Sequence, residues 1–521
     1  MQLIKKIFYT ILILFGICVM VVLFMFAIMM VFHTSIFGYT YANVTKVDGE
    51  TYAAIERNDI DSIEIETNAA NIVIDYTGDA GANNFSIMMK EDFQGIIKDN
   101  VKRYSYEKEP TPENIENKVL KITTVEPEGL IFQNSTTIYI YLPQGKVLDN
   151  ISIKTKSENI SFGTDDFEVK NLNVISTKKS LSPGVSLNSN LKITDSLSLE
   201  TYAGRINVGA EIGDGVNDVE VDIKTHIGTI LFNKSIKGNV KISGDNPNIE
   251  FGTITQGFIN NVKKNGDYNT ESLKKVDITG DLTIDGVENG GNIKISGTVG
   301  GFVYMKSPRM SLWANNINGG IVSETGSDEI IIFGSLGQND PSQVSELHVG
   351  SDLLIVNPYM SLEIYAQKNG VEIRNAHNNV YVENDNWDTI VEFADNAEGK
   401  TLTVRQAHGN IIAKNIRGTA DLVATNGKVT AEFTKVVGDN VVESKYEASV
   451  KVHDGLTYKL IAKGKSTLKI DLGAQQYNSW SGAQTVGAYK QLEINVPINS
   501  SSSTNTLSIF SEEKGLDIEL V

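Results

Sequence analysis

The sequence predicts a mainly β protein: a single-stranded parallel β-solenoid, of the β-helix or β-roll kind, with an elaborated N-terminal cap and one N-terminal transmembrane helix. Three observations lead to this prediction. One is a long apolar stretch near the N-terminus, and another is a strand–bend–strand pattern that recurs along the chain. The third is the composition, with 45 Gly, 10 Pro and one Cys in 521 residues. Abundant Gly with little Pro is typical of many tight turns between short strands.

The apolar stretch covers residues 7–32, IFYTILILFGICVMVVLFMFAIMMVF, and contains no charged residue. A helix of this length exceeds the roughly 30 Å hydrocarbon core of a bilayer, whereas the apolar core of a cleavable signal peptide has about 7–15 residues. Lys5 and Lys6 precede the stretch, and residues 33–45 contain neither Lys nor Arg. The positive-inside rule therefore predicts a retained single-pass anchor in the cell membrane, with a cytoplasmic N-terminus and an extracytoplasmic C-terminal domain.

The composition of the chain excludes one class of partner and two kinds of cysteine chemistry. The formal net charge is −18 and the isoelectric point is about 4.9. Nucleic-acid binding requires clustered Lys and Arg, so we expect no nucleic-acid partner. A single cysteine, Cys18, excludes a disulfide framework and any zinc site built from cysteines.

The repeat is a strand with alternating apolar residues, a short bend, and a second strand that keeps the same inward face. Seven windows share this pattern when they are aligned on one small polar residue, defined here as position zero. Positions −4, −2, +5 and +7 are apolar in every window, and the bend carries Gly or Asn near +3 or +4 in most of them. The seven residues at position zero are Thr67, Thr155, Thr201, Thr225, Asn375, Gln406 and Ser511. Such repeats predict parallel stacking around a continuous apolar column, although a β-sandwich also produces alternating strands.

The expected organisation follows from these patterns. Residues 241–367 hold a degraded form of the repeat, interrupted by loops such as INNVKKNGDYNTESLKK. Within the cap we expect longer strands, with KEDFQGIIKDN as a short helix or loop and KEPTPENIENK as a polar connector. The predicted boundaries are a cytoplasmic tail at 1–6, the transmembrane helix at 7–32, a juxtamembrane linker at 33–59, the cap and first coil at 60–150, and solenoid repeats at 151–521.

The repeat resembles that of a bacterial family of adhesin-like β-solenoid proteins of unknown function. Three features carry the resemblance, in this order: the strand IEIETNAANIVIDYTGD, a paired-strand segment ending in TTIYIYLPQG, and repeats of the L-x-I-x-T-x-x-G-x-I-x-V type. The last segment, TLSIFSEEKGLDIELV, is similar to the ending of that family. The resemblance covers about residues 60–521, most closely 60–235 and 400–521. It implies a solenoid fold, and it carries over no catalytic residue.

One candidate cation site lies in GDGVNDVEVD, residues 213–222. Asp214, Asp218, Glu220 and Asp222 are close together in sequence, and Ca²⁺ requires several converging oxygen ligands. The segment matches neither an EF-hand loop nor the Gly-rich nonapeptide repeats that bind Ca²⁺. The alternative interpretation is a turn that leads into a strand, with Glu220 and Asp222 facing water.

A second candidate metal site is the pair His377 and His408, each at position +2 of its window. If these two windows stack on each other, the two imidazoles lie at strand-to-strand separation, where a third ligand would complete a zinc or copper site. The alternative is that both histidines are exposed turn residues.

The sequence contains no G-x-S-x-G, H-E-x-x-H, P-loop or G-x-G-x-x-G motif. We therefore expect no enzymatic activity and no cofactor, but a surface binding or scaffold module of the adhesin kind. Its expected ligands are a glycan, a cell-wall polymer or a surface protein. Two alternatives stay open. One is a glycan-active β-helix enzyme, for which Trp313, Trp387 and Trp480 would supply sugar-stacking rings. The other is the ectodomain of an envelope-stress sensing system.

Overall fold

A computed structural model describes the residue ranges 2–32, 39–46, 51–55, 59–67, 70–77, 85–98, 104–106, 118–124, 129–134, 136–156, 160–162, 166–177, 185–216, 218–265, 270–453, 455–473, 475–497 and 503–521. The protein is mainly β, with 58% strand and 9% helix, and its sheets are long and rich in parallel pairs. It divides into two compact units, Met1–Ala210 and Glu211–Val521.

The first unit begins with the helix α1 (Gln2–Phe32). Within it, Lys5–Val31 has a mean hydropathy of 3.2, which makes the helix long and apolar enough to cross a bilayer or to act as a signal sequence. The strands of this unit are β1 (Tyr39–Lys46), β2 (Thr51–Ile55), β3 (Ser62–Thr67), β4 (Ala70–Tyr76), β5 (Phe85–Lys98), β6 (Tyr104–Tyr106), β7 (Val119–Thr124), β8 (Gly129–Asn134), β9 (Thr136–Leu142), β10 (Leu148–Thr155), β11 (Ile160–Phe162), β12 (Phe167–Ser176), β13 (Ser186–Leu187), β14 (Leu191–Thr201) and β15 (Arg205–Val208).

Two sheets account for most of the first unit. In one, β5 pairs antiparallel with β1, β2, β8 and β9, and β9 continues through β4 to β11 by parallel pairing. In the other, β3 lies between β7 and β10, and β12 and β14 follow β10, all by parallel pairing. The range 33–59, expected to be a linker, therefore contributes the two strands β1 and β2 to the first sheet.

The expectation for KEDFQGIIKDN, residues 90–100, was wrong. Strand β5 continues through this segment to Lys98, where a helix or loop was expected. The physical reason is pairing, because β5 finds antiparallel partners along both edges, and such partners override local propensity. The predicted connector KEPTPENIENK lies outside the described residues except for its last lysine, Lys118.

The second unit contains the helix α2 (Gln256–Asn265), a 3-10 turn (Thr270–Ser272) and the remaining strands. These strands are β16 (Glu211–Ile212), β17 (Val219–Thr225), β18 (Thr229–Phe232), β19 (Gly238–Gly244), β20 (Asn248–Phe251), β21 (Leu282–Val287), β22 (Gly291–Val299), β23 (Val303–Met305), β24 (Met310–Ile317), β25 (Ile321–Ser327), β26 (Ile330–Ile332), β27 (Val344–Val349), β28 (Leu353–Val356), β29 (Ser361–Ala366), β30 (Val371–Ala376), β31 (Val380–Asn384), β32 (Thr389–Phe393), β33 (Leu402–His408), β34 (Ile411–Ile416), β35 (Ala420–Asn426), β36 (Val429–Phe433), β37 (Asp439–Ser444), β38 (Glu447–Val452), β39 (Tyr458–Gly464), β40 (Thr467–Asp471), β41 (Gln476–Tyr477), β42 (Gln484–Val486), β43 (Tyr489–Val496), β44 (Thr506–Ser511) and β45 (Gly515–Leu520).

The strands of the second unit alternate between two parallel ladders. Ladder 1 runs from β17 through the odd-numbered strands β19 to β37, and ladder 2 runs from β18 through the even-numbered strands β20 to β38. The chain mostly returns to the same ladder after about 20 residues, as when Asn239 donates a hydrogen bond to Glu220, 19 residues earlier. The exception is the segment that contains α2, where Val240 pairs with Leu282 and Asn248 pairs with Asn292.

The predicted inward positions form the core of both units. All of the apolar residues at −4, −2, +5 and +7 of the seven windows are exposed by 2% or less. At position zero, Thr67, Thr155, Thr201, Thr225, Gln406 and Ser511 are buried to the same degree. The hydroxyl of Thr225 shows why a polar residue is tolerated there, because it accepts a hydrogen bond from the Gly228 amide at 3.1 Å and so satisfies a donor of the bend.

The window around Asn375 belongs to the opposite bend, which corrects the alignment made from sequence. It runs from ladder 2 into ladder 1, from β30 to β31, whereas the windows around Thr225, Gln406 and Ser511 lead from strands β17, β33 and β44 into strands β18, β34 and β45. Asn375 is exposed and has a positive φ of 55°. Asn357 and Asn415, with φ of 49° and 54°, occupy similar bends. Asparagine is among the few side chains that tolerate this conformation, so its recurrence has a backbone cause.

The last two strands leave the sequential order. Strand β44 pairs in parallel with both β37 and β39, and β45 pairs in parallel with both β38 and β40. The C-terminal segment thus lies between two strand pairs that precede it in sequence. Beyond it, β39 is covered by antiparallel β43, which in turn pairs with β42.

Candidate binding groove

Ladder 2 presents one outward column of side chains that runs across its strands in register. We call it the outer column. Its members from β18 to β38 are Leu231, Glu250, Lys294, Trp313, Ile331, Leu354, Glu372, Ile390, Ile412, Thr430 and Ser449. Most are polar or half-buried, as expected for a face in contact with water. The stretch Trp313, Ile331 and Leu354 is different, because all three side chains are apolar and buried.

Helix α2 covers this apolar stretch. The Thr255 hydroxyl caps its N-terminus by accepting a hydrogen bond from the Phe258 amide at 3.2 Å. Ile259 and Val262 then pack in one cluster with Trp313, Ile331, Phe333, Leu354 and Val356. Because full burial of such a side chain contributes about 1.5–3 kcal/mol, this contact is the main reason that α2 forms. The loop expected around residues 259–275 thus contains a helix, since its apolar residues at spacing i, i+3 meet an apolar face.

Charged groups fix the C-terminal end of α2. The Arg374 guanidinium donates to the carbonyl oxygens of Val262 and Lys263, each at 3.3 Å, and to the Glu372 carboxylate at 2.7 Å. Arg374 therefore satisfies carbonyl groups that a helix end leaves without partners.

The Lys263 ammonium pairs with the carboxylates of Glu329 and Asp352. Glu329 also accepts a hydrogen bond from the Trp313 indole at 2.6 Å. Burial lowers the pKa of Lys263, but the hydrogen bonds and charges of its two carboxylate partners outweigh burial, so the pKa lies above its ordinary value. The ammonium is thus held in place beside the open part of the outer column.

A cavity of about 320 Å³ opens where α2 ends. We call it the α2 groove. Its lining includes Lys263, Asp352, Leu354, Glu372, Trp387 and Asp388. The groove lies within the second unit and combines an apolar base with three carboxylates and an aromatic wall. This is the composition of a small-molecule site, which is mostly apolar with a few placed polar groups.

Trp387 is the unusual member of the lining. Its side chain is 68% exposed, and its backbone has a positive φ of 67°, which is rare for a bulky residue and costs on the order of 1–3 kcal/mol. The Trp387 carbonyl accepts a hydrogen bond at 2.7 Å from the amide of Gln406, a side chain that is 1% exposed.

A buried network holds Gln406 in turn. The Thr389 hydroxyl donates to the Gln406 side-chain oxygen at 2.6 Å, and the Asn384 amide donates to the Thr389 hydroxyl at 3.1 Å. Nearby, the backbone N–H of Asn410 donates to the Asp388 carboxylate at 2.8 Å. The backbone that carries Trp387 and Asp388 is therefore fixed from inside the ladder.

The predicted cation residues lie on an exposed segment. Asp214, Asp218, Glu220 and Asp222 are all exposed, and the last two face outward on β17, as the alternative interpretation expected. Asp214 accepts a hydrogen bond from the Val216 amide at 2.8 Å, and Glu220 accepts one from Asn239 at 3.0 Å. Within the described residues, no group of three or more His, Cys, Asp or Glu side chains converges as a metal site would require.

The two candidate histidines lie on different ladders, so the condition for a shared site, that their windows stack, is not met. His377 follows β30 of ladder 2, and His408 ends β33 of ladder 1. The His377 ring stacks on Tyr359 with ring centroids 4.3 Å apart and bonds to Asn396 at 2.8 Å. The cause is the window around Asn375, which lies at the opposite bend from the window around Gln406.

Sequence reasoning missed the groove although two signals for it were present. The runs IIIF at 330–333 and LLIV at 353–356 lose the period-two alternation, which indicates strands that are covered on both faces. Trp387 was named only as one of three candidate stacking rings. Of these, Trp313 is buried under α2, and Trp480 is half-buried and donates to the Ser466 carbonyl at 2.6 Å.

Comparison of the chain with protein-family models, curated proteins and solved structures finds no match. The resemblance to adhesin-like β-solenoid proteins thus rests on the repeat motif and stays a prediction.

Proposed function

We propose that this protein is a non-enzymatic binding and scaffold module displayed outside the cell membrane. In this proposal α1 is a retained anchor with a cytoplasmic N-terminus, and the parallel strands of each unit wind as a β-solenoid. Lys5 and Lys6 near the start of α1, together with the lack of Lys and Arg in residues 33–45, support the orientation. The return of the chain to the same ladder after about 20 residues, outside the segment that contains α2, supports the winding.

The α2 groove is the observation that carries the binding role. An exposed tryptophan whose strained backbone is held by a buried network is a feature that folding alone does not require. Exposed aromatic side chains beside a cavity are typical of binding sites. The likeness of the repeat to adhesin-like proteins points in the same direction.

Two measurements test the proposal. Protease added to intact cells, or to spheroplasts where an outer membrane is present, should release fragments from beyond about Asn43. Full protection of that part, together with an active cytoplasmic reporter at the C-terminus, would overturn the orientation.

The second measurement uses the full chain in micelles of a detergent without a sugar headgroup. The chain is incubated with cell-wall and host glycans, and both retention and product release are followed. Retention without shortened products is expected for a binding module.

A glycan-active enzyme is the second candidate, and the three carboxylates Asp352, Glu372 and Asp388 of the groove favour it, since glycoside hydrolysis uses pairs of carboxyl groups. Reproducible release of shortened oligosaccharides, lost in Asp388→Asn or Glu372→Gln, would replace the binding module by this enzyme.

A further inference from the structure

We infer that the α2 groove binds one neutral pyranose ring of a glycan, with the ring stacked on the Trp387 indole and its hydroxyl groups bonded to the carboxylates of Asp352, Glu372 and Asp388. This inference rests on the proposed binding function and names the ligand class of the same site.

The size of the groove fits a single sugar ring. Its volume of about 320 Å³ is at the lower end of the range for ligand sites, too small for a folded peptide. Trp387 is 68% exposed and offers the flat apolar face of its indole, and Gln406 holds its backbone in place. A pyranose ring has apolar C–H faces and a polar edge, which match an aromatic wall beside polar groups.

The groove offers more hydrogen-bond acceptors than donors. Its three carboxylates have about twelve acceptor positions, and protein partners use few of them here. Asp352 pairs with Lys263, Glu372 pairs with Arg374, and Asp388 accepts from the Asn410 amide. The groove is therefore rich in acceptors, and sugar hydroxyl groups are donors that satisfy acceptors without bringing charge.

The charge of the groove favours a neutral ligand. Three carboxylates line the groove, and a fourth, Glu329, pairs with its lysine. The two cations there are already paired, Lys263 with Glu329 and Asp352 and Arg374 with Glu372, so the four carboxylates leave a net negative charge. A phosphate-bearing polymer or an anionic lipid surface would meet repulsion there, although an exposed tryptophan alone would suit a membrane interface. The carboxylates therefore favour a neutral sugar over anionic polymers and anionic lipids as the ligand that contacts the exposed indole.

The test compares variants of the full chain in micelles of a detergent without a sugar headgroup. The probes are cellotriose, maltotriose and N-acetylchitotriose, titrated by calorimetry. The wild-type chain should bind at least one of them, and Trp387→Ala should weaken that binding at least tenfold. Trp387→Tyr, which keeps an aromatic face, should stay within about threefold of the wild type. Asp388→Asn should weaken binding by a smaller factor than Trp387→Ala.

Trp480→Ala is the matched control, because it removes a tryptophan of the same unit that is outside the groove, and it should leave binding unchanged. Trp387→Ala should keep the wild-type urea midpoint, since the side chain is largely exposed.

Three results would overturn the inference. Binding that survives Trp387→Ala would place the sugar elsewhere while the binding module stands. Failure of the wild-type chain to bind any of the three sugars, together with Trp387-dependent binding to anionic vesicles, would replace the sugar by a lipid surface. If the wild-type chain binds neither the sugars nor the vesicles, the inference that the groove binds a sugar is wrong. If the chain also retains no glycan in the wider screen, the proposed binding function is wrong as well.

Discussion

Ladder 2 has two regions that share one kind of interior and differ in their outer face. In β24, β26 and β28 the outer column is apolar and α2 covers it, whereas in β32, β34 and β36 it is open to water. The inward residues of both regions, such as Ile330 and Ile411, are fully buried. The difference shows that the repeat specifies the interior, while the outer face is free to vary and can acquire a covering helix and, at its border, a groove.

The largest expected effect concerns the interior that both regions share. Ile330→Asp in the covered region and Ile411→Asp in the open region each bury an unpaired carboxylate at a fully buried site. Each should lower the free energy of unfolding by several kcal/mol, on the order of 3–5. Urea unfolding followed by circular dichroism measures the loss, and Lys414→Ser, at an exposed outward position of β34, is the control. If Ile411→Asp unfolds at the same urea concentration as the wild type, the assignment of Ile411 to the inward face is wrong.

The next effect separates the two regions. Ile331 and Ile412 occupy the same outer column, but Ile331 is fully buried under α2 and Ile412 is half-buried. Ile331→Asp should cost about 2–4 kcal/mol, because its carboxylate is taken out of water without a partner, whereas Ile412→Asp should cost less than about 1 kcal/mol. The same urea experiment measures both. Equal losses would contradict the covering role of α2.

A smaller effect tests how α2 is tethered. Arg374→Ala removes two hydrogen bonds from a charged donor to the end of α2, and each such bond contributes on the order of 1–2 kcal/mol. Amide hydrogen exchange of residues 256–265 should become at least tenfold faster, while exchange in β34 stays the same. Lys414→Ala, an exposed cation on an open strand of the same ladder, is the control and should leave exchange in α2 unchanged.

The smallest effect depends on pH. The pKa of Lys263 is raised in the folded protein by Glu329 and Asp352, against the opposing effect of burial. The stabilisation from this pairing is therefore fully present below the unfolded pKa of about 10.4, and it is lost as the pH rises through the higher folded pKa. In a Trp387→Phe, Trp480→Phe background, the fluorescence of Trp313 reports on the covered face. The signal should change in this alkaline range, and Lys263→Met should abolish the change. An identical titration in Lys263→Met would contradict the assignment.

Much of the interior could be predicted from the sequence, because period-two alternation directly encodes which side chains face inward. The windows around Thr225 and Gln406 gave the correct strands, the correct buried residues and the correct bends. The window around Asn375 gave the correct strands but the wrong bend, since either bend satisfies the same alternation. The two bends differ in backbone conformation, with a positive φ of 55° at Asn375 in one and of 111° at Gly204 in the other, and a sequence pattern does not state these values.

The α2 groove could not be predicted from the alternation of apolar residues, because it depends on a helix that the sequence alone does not indicate. The residues 259–275 read as a loop because α2 has few apolar side chains and is too short to be stable alone. It forms because Trp313, Ile331 and Leu354, which are distant in sequence, share one outer column. The position of Trp387 likewise depends on Gln406, a residue of the next strand of the opposite ladder.

By itself, the sequence determined the apolar N-terminal helix, the strand–bend–strand repeat and the identity of the inward residues. These are local properties, because hydrophobic length and alternation act within one strand or helix. The tertiary structure alone decided which bend each window occupies, where α2 covers ladder 2, and that β44 and β45 insert between strand pairs that precede them. Those outcomes depend on register between segments about 20 to 110 residues apart, and the free energy of such contacts belongs to pairs of segments and not to either one.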